Sequence, residues 1–168
     1  MAQKYRRHSL KSKEAKAILR FVSERLKIDL EATMGHKANV EIVEADAGQI
    51  ILVDGKPLLF NVGDTFFPTL FFKELLERTP RFVVDMGAVP FVCKGADVMA
   101  PGVVKIEGEF QKGDIVVIVD EKHGKPLALG ESLQDSETAK ATKKGAVVKN
   151  VHYVSDKIWD LAKTVSAG

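Results

Sequence analysis

The chain has 168 residues, 45% of them hydrophobic, with 25 Lys/Arg against 23 Asp/Glu. That is enough for one large domain or two small ones, and no apolar run approaches the roughly 18 residues of a membrane helix, so no membrane partner is expected. A single cysteine excludes an internal disulfide, and MAQKYRR has no apolar segment behind it, so the expected location is a reducing cytoplasm.

The net charge of +2 conceals a pattern: residues 1–37 carry +6, 38–80 carry −4, 81–140 carry −3 and 141–168 carry +3. Basic ends around an acidic middle suit a local nucleic-acid patch, although charge alone favours a pair of solvated faces.

Residues 4–8 read as an edge strand guarded by Arg6 and Arg7. Ser12 offers an N-cap, and Ala15, Ile18, Leu19, Val22 and Leu26 predict a helix to about residue 26. Gly35 closes a second short segment. From Val40 the period changes to a strand pattern, and residues 50–53 form the next strand. Asp54-Gly55 predicts a two-residue primed hairpin turn, with the chain returning over 58–62. Pro68-Thr69 is expected to open a helix with Phe72, Leu75 and Leu76 inward, ended by Pro80. The domain boundary falls there: a small α+β domain over 1–80, and a second domain over 81–168.

Residues 82–108 (FVVDMGAVPFVCKGADVMAPGVVKIEG) organise the second half. They predict a strand, a short helix over 89–93 and a strand over 103–106. Gly95 suits a left-handed position after the helix. Pro101-Gly102 reads as a turn with positive φ at the glycine, and amides beside these glycines are expected to be open to an anion. Residues 115–120, 126–130 and 146–151 are strand length; Ser136 caps a short helix that Gly145 ends. Many short strands with regular turns predict a small barrel.

No set of residues resembles a catalytic site. His8, His36, His123 and His152 share no metal-ligand spacing, and no phosphate-loop or nucleophile-elbow motif occurs. Cys93 lies in an apolar run and reads as a core residue. No enzymatic activity, cofactor or metal is expected.

Residues 94–102 (KGADVMAPG), with Asp85-Met86-Gly87-Ala88, resemble the PUA domain of pseudouridine synthases and archaeosine transglycosylases. Residues 149–159 (KNVHYVSDKIW), 54–58 (DGKPL) and 67–70 (FPTL) narrow the resemblance to the malignant T-cell amplified sequence family and its short archaeal relatives. The resemblance implies a pre-PUA α+β domain followed by a PUA-type β-barrel. It brings no catalysis, because pseudouridine synthases keep their nucleophilic aspartate in a separate domain that residues 1–80 do not match.

Local geometry alone leaves Gly95 and Gly102 as turns. The resemblance instead implies that the helix-to-strand loop and the last strand face RNA. Carried over, the candidate RNA-binding residues are Lys94, Gly95, Ala96, Asp97 and Met99 in the loop and Lys149 on the last strand. Lys143 and Lys144 lie near that strand, and Arg6 and Arg7 give the N-terminal domain a basic side. The implied role is a translation initiation or recycling factor acting on the small ribosomal subunit and tRNA. Ribosomal RNA or tRNA would be the ligand, and a SUI-domain protein a possible partner. The alternatives are an accessory that presents tRNA to a modifying enzyme, and a protein-interaction module.

Overall fold

The computed structural model describes residues 4–34 and 38–167; Gly35 and His36 lie outside the described residues. The chain divides into two compact units, Met1–Phe72 with Asp160–Gly168, and Lys73–Trp159.

The first unit holds a five-stranded antiparallel sheet in the order β1 (Tyr5–Ser9), β2 (Val40–Ala45), β3 (Gly48–Val53), β4 (Lys56–Val62), β5 (Thr65–Pro68). Helix α1 (Ser12–Leu26) buries Ala15, Leu19 and Val22 of the stripe its spacing predicts and leaves Ile18 and Leu26 half-buried. Ser12 is not its cap: the N-cap is Lys11, in extended conformation with no side-chain bond, and Ser12 is already helical. A short helix α2 (Leu30–Met34) follows. Asp54 and Gly55 both have positive φ (51° and 81°), as the primed hairpin turn requires.

The helix expected at Pro68 starts later. Pro68 closes β5, paired opposite Leu59, and α3 begins at Lys73 (Lys73–Arg78). Strand β5 is a sheet edge, where a missing N–H breaks no ladder bond. Buried Thr69 makes the exit: its Oγ1 donates to the Pro57 carbonyl at 2.6 Å and accepts from Phe71 N–H. Leu75 and Leu76 are buried on α3, whereas Phe72 is buried ahead of it.

The second unit is a six-stranded curled sheet, a half-barrel. Its order is β7 (Val98–Met99), β11 (Ala146–Tyr153), β10 (Pro126–Ser132), β9 (Ile115–Asp120), β6 (Arg81–Val84), β8 (Val103–Glu107). Neighbours are antiparallel except β6 and β9, which run parallel. All six residues of β9 are buried, as a central strand of alternation-free Ile and Val demands. The core gathers Phe82, Val84, Val92, Val98, Phe110, Ile118 and Val148. Two short helices flank it, α4 (Val89–Val92) and α5 (Ser136–Ala141). The cap of α5 is Asp135, whose carboxylate accepts from Thr138 N–H at 2.8 Å, not Ser136. A last helix, α6 (Lys157–Ala167), belongs to the first unit from Asp160 on and buries Ile158, Leu161, Ala162 and Val165.

Candidate nucleic-acid interface

Strand β6 delivers the chain to a tight turn in which Asp85 Oδ1 accepts from Ala88 N–H at 2.8 Å. Helix α4 follows for one turn, and the loop 93–97 returns to β7. Gly95 has φ +96°, and a Cβ there would lie 2.9 Å from the Tyr153 ring. Both facts require glycine. Gly102 differs from expectation. Its φ is not positive; the residue is small because a Cβ would sit 3.1 Å from Ala88 Cβ, where the short 3₁₀ turn Ala100–Gly102 crosses the Asp85 turn.

The amides of residues 93–96 are not open to an anion. Cys93 N–H bonds back to Val89, Lys94 N–H and Ala96 N–H to Phe91, and Gly95 N–H to Val92, all between 3.0 and 3.1 Å. The reason is the helix end itself: its last carbonyls need donors, and the following amides supply them. What the loop offers outward is therefore side chains and backbone oxygen.

Strand β11 runs beside it. Val148 pairs with Val98 and Ala146 with Met99, and Ala100 N–H donates to the Gly145 carbonyl at 2.8 Å. Exposed Lys94, Ala96 and Asp97 of the loop thus lie towards the end of the pairing that carries exposed Lys149, and exposed Met99 lies towards Gly145, with exposed Lys144 and Lys143 just before it in the chain. Strand β7 ends the sheet, so among the described residues no further strand covers this edge. Met99 is 50% exposed, and Phe91 on α4 is 66% exposed. Both give flat or soft apolar surface of the kind bases stack on.

Two residues that sequence reasoning left out hold the loop. Asn150 Nδ2 donates to the Val92 carbonyl at 3.1 Å and to the Ala96 carbonyl at 3.0 Å, while Asn150 N–H donates to Asp97 Oδ1 at 3.0 Å. Tyr153 lies against Gly95. Asn150 had a signal: asparagine is depleted from strands, yet this one interrupts a β-branched run.

Arg6 and Arg7 lie on β1, in the other unit. Arg7 is engaged: Nε and Nη2 grip the Glu41 carboxylate at 2.8 and 3.0 Å, and Nη1 donates to the Val165 carbonyl at 3.4 Å. The paired hydrogen bonds hold Glu41 below the usual carboxylate range against the opposing effect of burial. Arg6 meets Glu44 at 3.5 Å, but its side chain is 86% exposed. Cys93 is half-buried, and burial pushes its thiol up, away from the thiolate. Among the described residues no cluster of His, Cys, Asp and Glu could hold a metal ion, and no helix is long and apolar enough to cross a membrane.

Comparison with known proteins places these features in a family. The pattern of the PUA domain matches residues 80–154, and that of a domain of unknown function, DUF1947, matches residues 6–78. An uncharacterized protein of Methanocaldococcus jannaschii is 46% identical over 127 residues, covering 74% of this chain and 77% of the relative. Translation machinery-associated protein 20 of Saccharomyces cerevisiae is 32% identical over 134 residues, 75% of this chain and 74% of the relative. Malignant T-cell-amplified sequence 1 of Rattus norvegicus is 30% identical over 141 residues, 79% and 76% of the two chains. The chain belongs to this family of PUA-domain proteins. Among solved structures, a PUA-domain protein of Aeropyrum pernix superposes with a TM-score of 0.81 at 31% identity, covering 97% of this chain and 94% of that one. A hypothetical protein of Pyrococcus horikoshii gives 0.78 at 36% identity, covering 94% and 99%. The expected resemblance to the malignant T-cell amplified sequence family, with short archaeal relatives, is thus met, as is the α+β, PUA-type fold.

Proposed function

We propose that this protein is a non-catalytic RNA-binding factor of translation, acting in the cytoplasm on the small ribosomal subunit and tRNA. One observation carries the reading: in the unit with the PUA pattern, Lys94 in the glycine loop and Lys144 and Lys149 around β11 are all exposed at the end of the sheet where β11 pairs with β7. The names of the relatives support the assignment to translation. In this reading RNA meets the loop at Lys94, Gly95, Ala96 and Met99, and Lys143, Lys144 and Lys149 neutralise phosphates. Arg6 adds a cation from the N-terminal domain over 1–80, with Arg7 behind it as its less available neighbour. A SUI-domain partner would supply start-codon sensing to the pair of domains, 1–80 and 81–168.

The test is binding of unfractionated tRNA and of purified small ribosomal subunits by the full chain at several salt concentrations. Lys94→Glu with Lys149→Glu is expected to weaken binding by tenfold or more, on the order expected when phosphates are no longer neutralised, with an unchanged melting temperature. The log–log salt slope should become shallower by about 0.7 for each single-strand phosphate that no longer meets a lysine. Affinities equal to those of the unaltered chain throughout would contradict the site.

A further inference from the structure

The exposed side chains of the loop are not its whole design; its shape is fixed from behind. Asn150 stands where β11 is irregular. Gly130 pairs with Asn150 across a bulge, and a Cβ on Gly130 would collide with the Lys149 carbonyl oxygen, so the glycine lets β11 come close and turn Asn150 towards α4. There the Asn150 amide closes two carbonyls on either side of the loop, Val92 at its start and Ala96 near its end. The β7–β11 ladder stops at Val98–Val148, and the next N–H, from Asn150, is taken by the Asp97 carboxylate instead of a backbone carbonyl. Tyr153, three residues on, lies against Gly95.

The amide orientation follows from the partners: only Nδ2 can donate to two carbonyls. That leaves Asn150 Oδ1 buried without a hydrogen-bond partner. The amide spends both of its donor hydrogens on the two ends of the loop, and so fixes the loop's shape.

We infer that Asn150 and Asp97 are positioning residues, which lock the Lys94–Met99 loop in its RNA-ready conformation from behind without themselves contacting RNA. The inference rests on the proposed RNA-binding role of the same edge, and it removes Asp97 from the direct contacts. A carboxylate is a poor neighbour for phosphate but a good acceptor for an amide, and Asp97 Oδ1 is already used that way. A preformed loop gains affinity by avoiding the ordering cost at binding.

The test uses the full chain, unfractionated tRNA as probe, and amide hydrogen exchange. Asn150→Ala is expected to speed exchange at Lys94, Gly95 and Ala96, with β9 still protected. Affinity should fall about tenfold with the salt slope unchanged, since no phosphate-binding side chain is deleted. Asp97→Ala should act the same way, whereas Asp97→Asn, which keeps an acceptor oxygen, should bind as the unaltered chain does. The Asp97 pair decides the matter should Asn150→Ala lose protection in β9. The inference is overturned if Asn150→Ala binds normally with β9 protected, or if Asp97→Asn is as impaired as Asp97→Ala. The lysine double variant separates the two ideas: normal binding there removes the RNA edge, while impaired binding there with normal binding by a folded Asn150→Ala removes only the lock.

Discussion

Three glycines of the second unit show why single residues matter here, each for a different physical reason. Gly95 needs its positive φ and the space taken by Tyr153; Gly145 has positive φ with nothing within 4 Å; Gly130 has no unusual φ but is pressed by Lys149. Gly130→Ala forces backbone apart in a packed sheet and should cost about 1–3 kcal/mol. Gly95→Ala adds left-handed strain of about 1–2 kcal/mol to the clash with the Tyr153 ring. Gly145→Ala should carry the backbone strain without a clash and be the mildest of the three. Denaturant unfolding of the three variants checks the ranking, and Gly130→Ala with the stability of the unaltered chain would contradict it. The left-handed bend at Gly95 was legible because glycine after a short helix has few other uses. Its contact with Tyr153 was not, since residues so far apart in the chain leave no local trace. Gly102 misleads for the same reason: the residue that demands it, Ala88, is a neighbour only in space.

Among the helices, α6 is the one that the sequence leaves unassigned, although Ile158, Leu161, Ala162 and Val165 lie at helical spacing. Its start is built by Asp156. Oδ1 accepts from Trp159 N–H at 2.7 Å, and Oδ2 accepts from Tyr153 N–H at 2.9 Å and meets buried His152 Nδ1 at 2.8 Å. Burial alone would push this carboxyl up; the His152 hydrogen bond and charge, with the two backbone N–H groups, outweigh it and hold it below the usual range. A depressed carboxylate contributes stability above its unfolded value, near 4, and that contribution disappears as pH falls through the folded value. Asp156→Ala should therefore lower stability at neutral pH by about 1–3 kcal/mol, as the removal of a helix cap and of a buried histidine hydrogen bond requires. It should also flatten the acid limb of the stability profile below about pH 4. A variant whose acid limb matches the unaltered chain would show that the stabilising pairing lies elsewhere. The turn at Asp120 works alike: N–H groups of His123, Lys125 and Lys122 hold its carboxylate low against the effect of burial. Strands were read more faithfully than helices, because β9 and the 54–55 hairpin carry their signals within a few residues. The α3 start was displaced by Pro68, which is equally at home at a helix start and on a sheet edge.

At the scale of the whole chain, the basic ends of the sequence resolve into different things. Arg7 is held by Glu41 and the last turn of α6, so part of the N-terminal charge is internal structure. Lys149 stays exposed on β11 next to the residue that bonds Asp97, and Lys143 and Lys144 stay exposed ahead of that strand, so the C-terminal charge remains available. A count of charges cannot separate these cases; the family motifs could point to the loop, but not to Asn150, which the motif contains without explaining. The account stands on RNA meeting the β7–β11 edge. Ultraviolet crosslinking of the full chain to small ribosomal subunits and to tRNA, with the linked peptides identified, addresses that most directly. Crosslinks should fall in residues 91–99 and 143–149. Crosslinks confined to other surfaces, with this edge untouched, would contradict it.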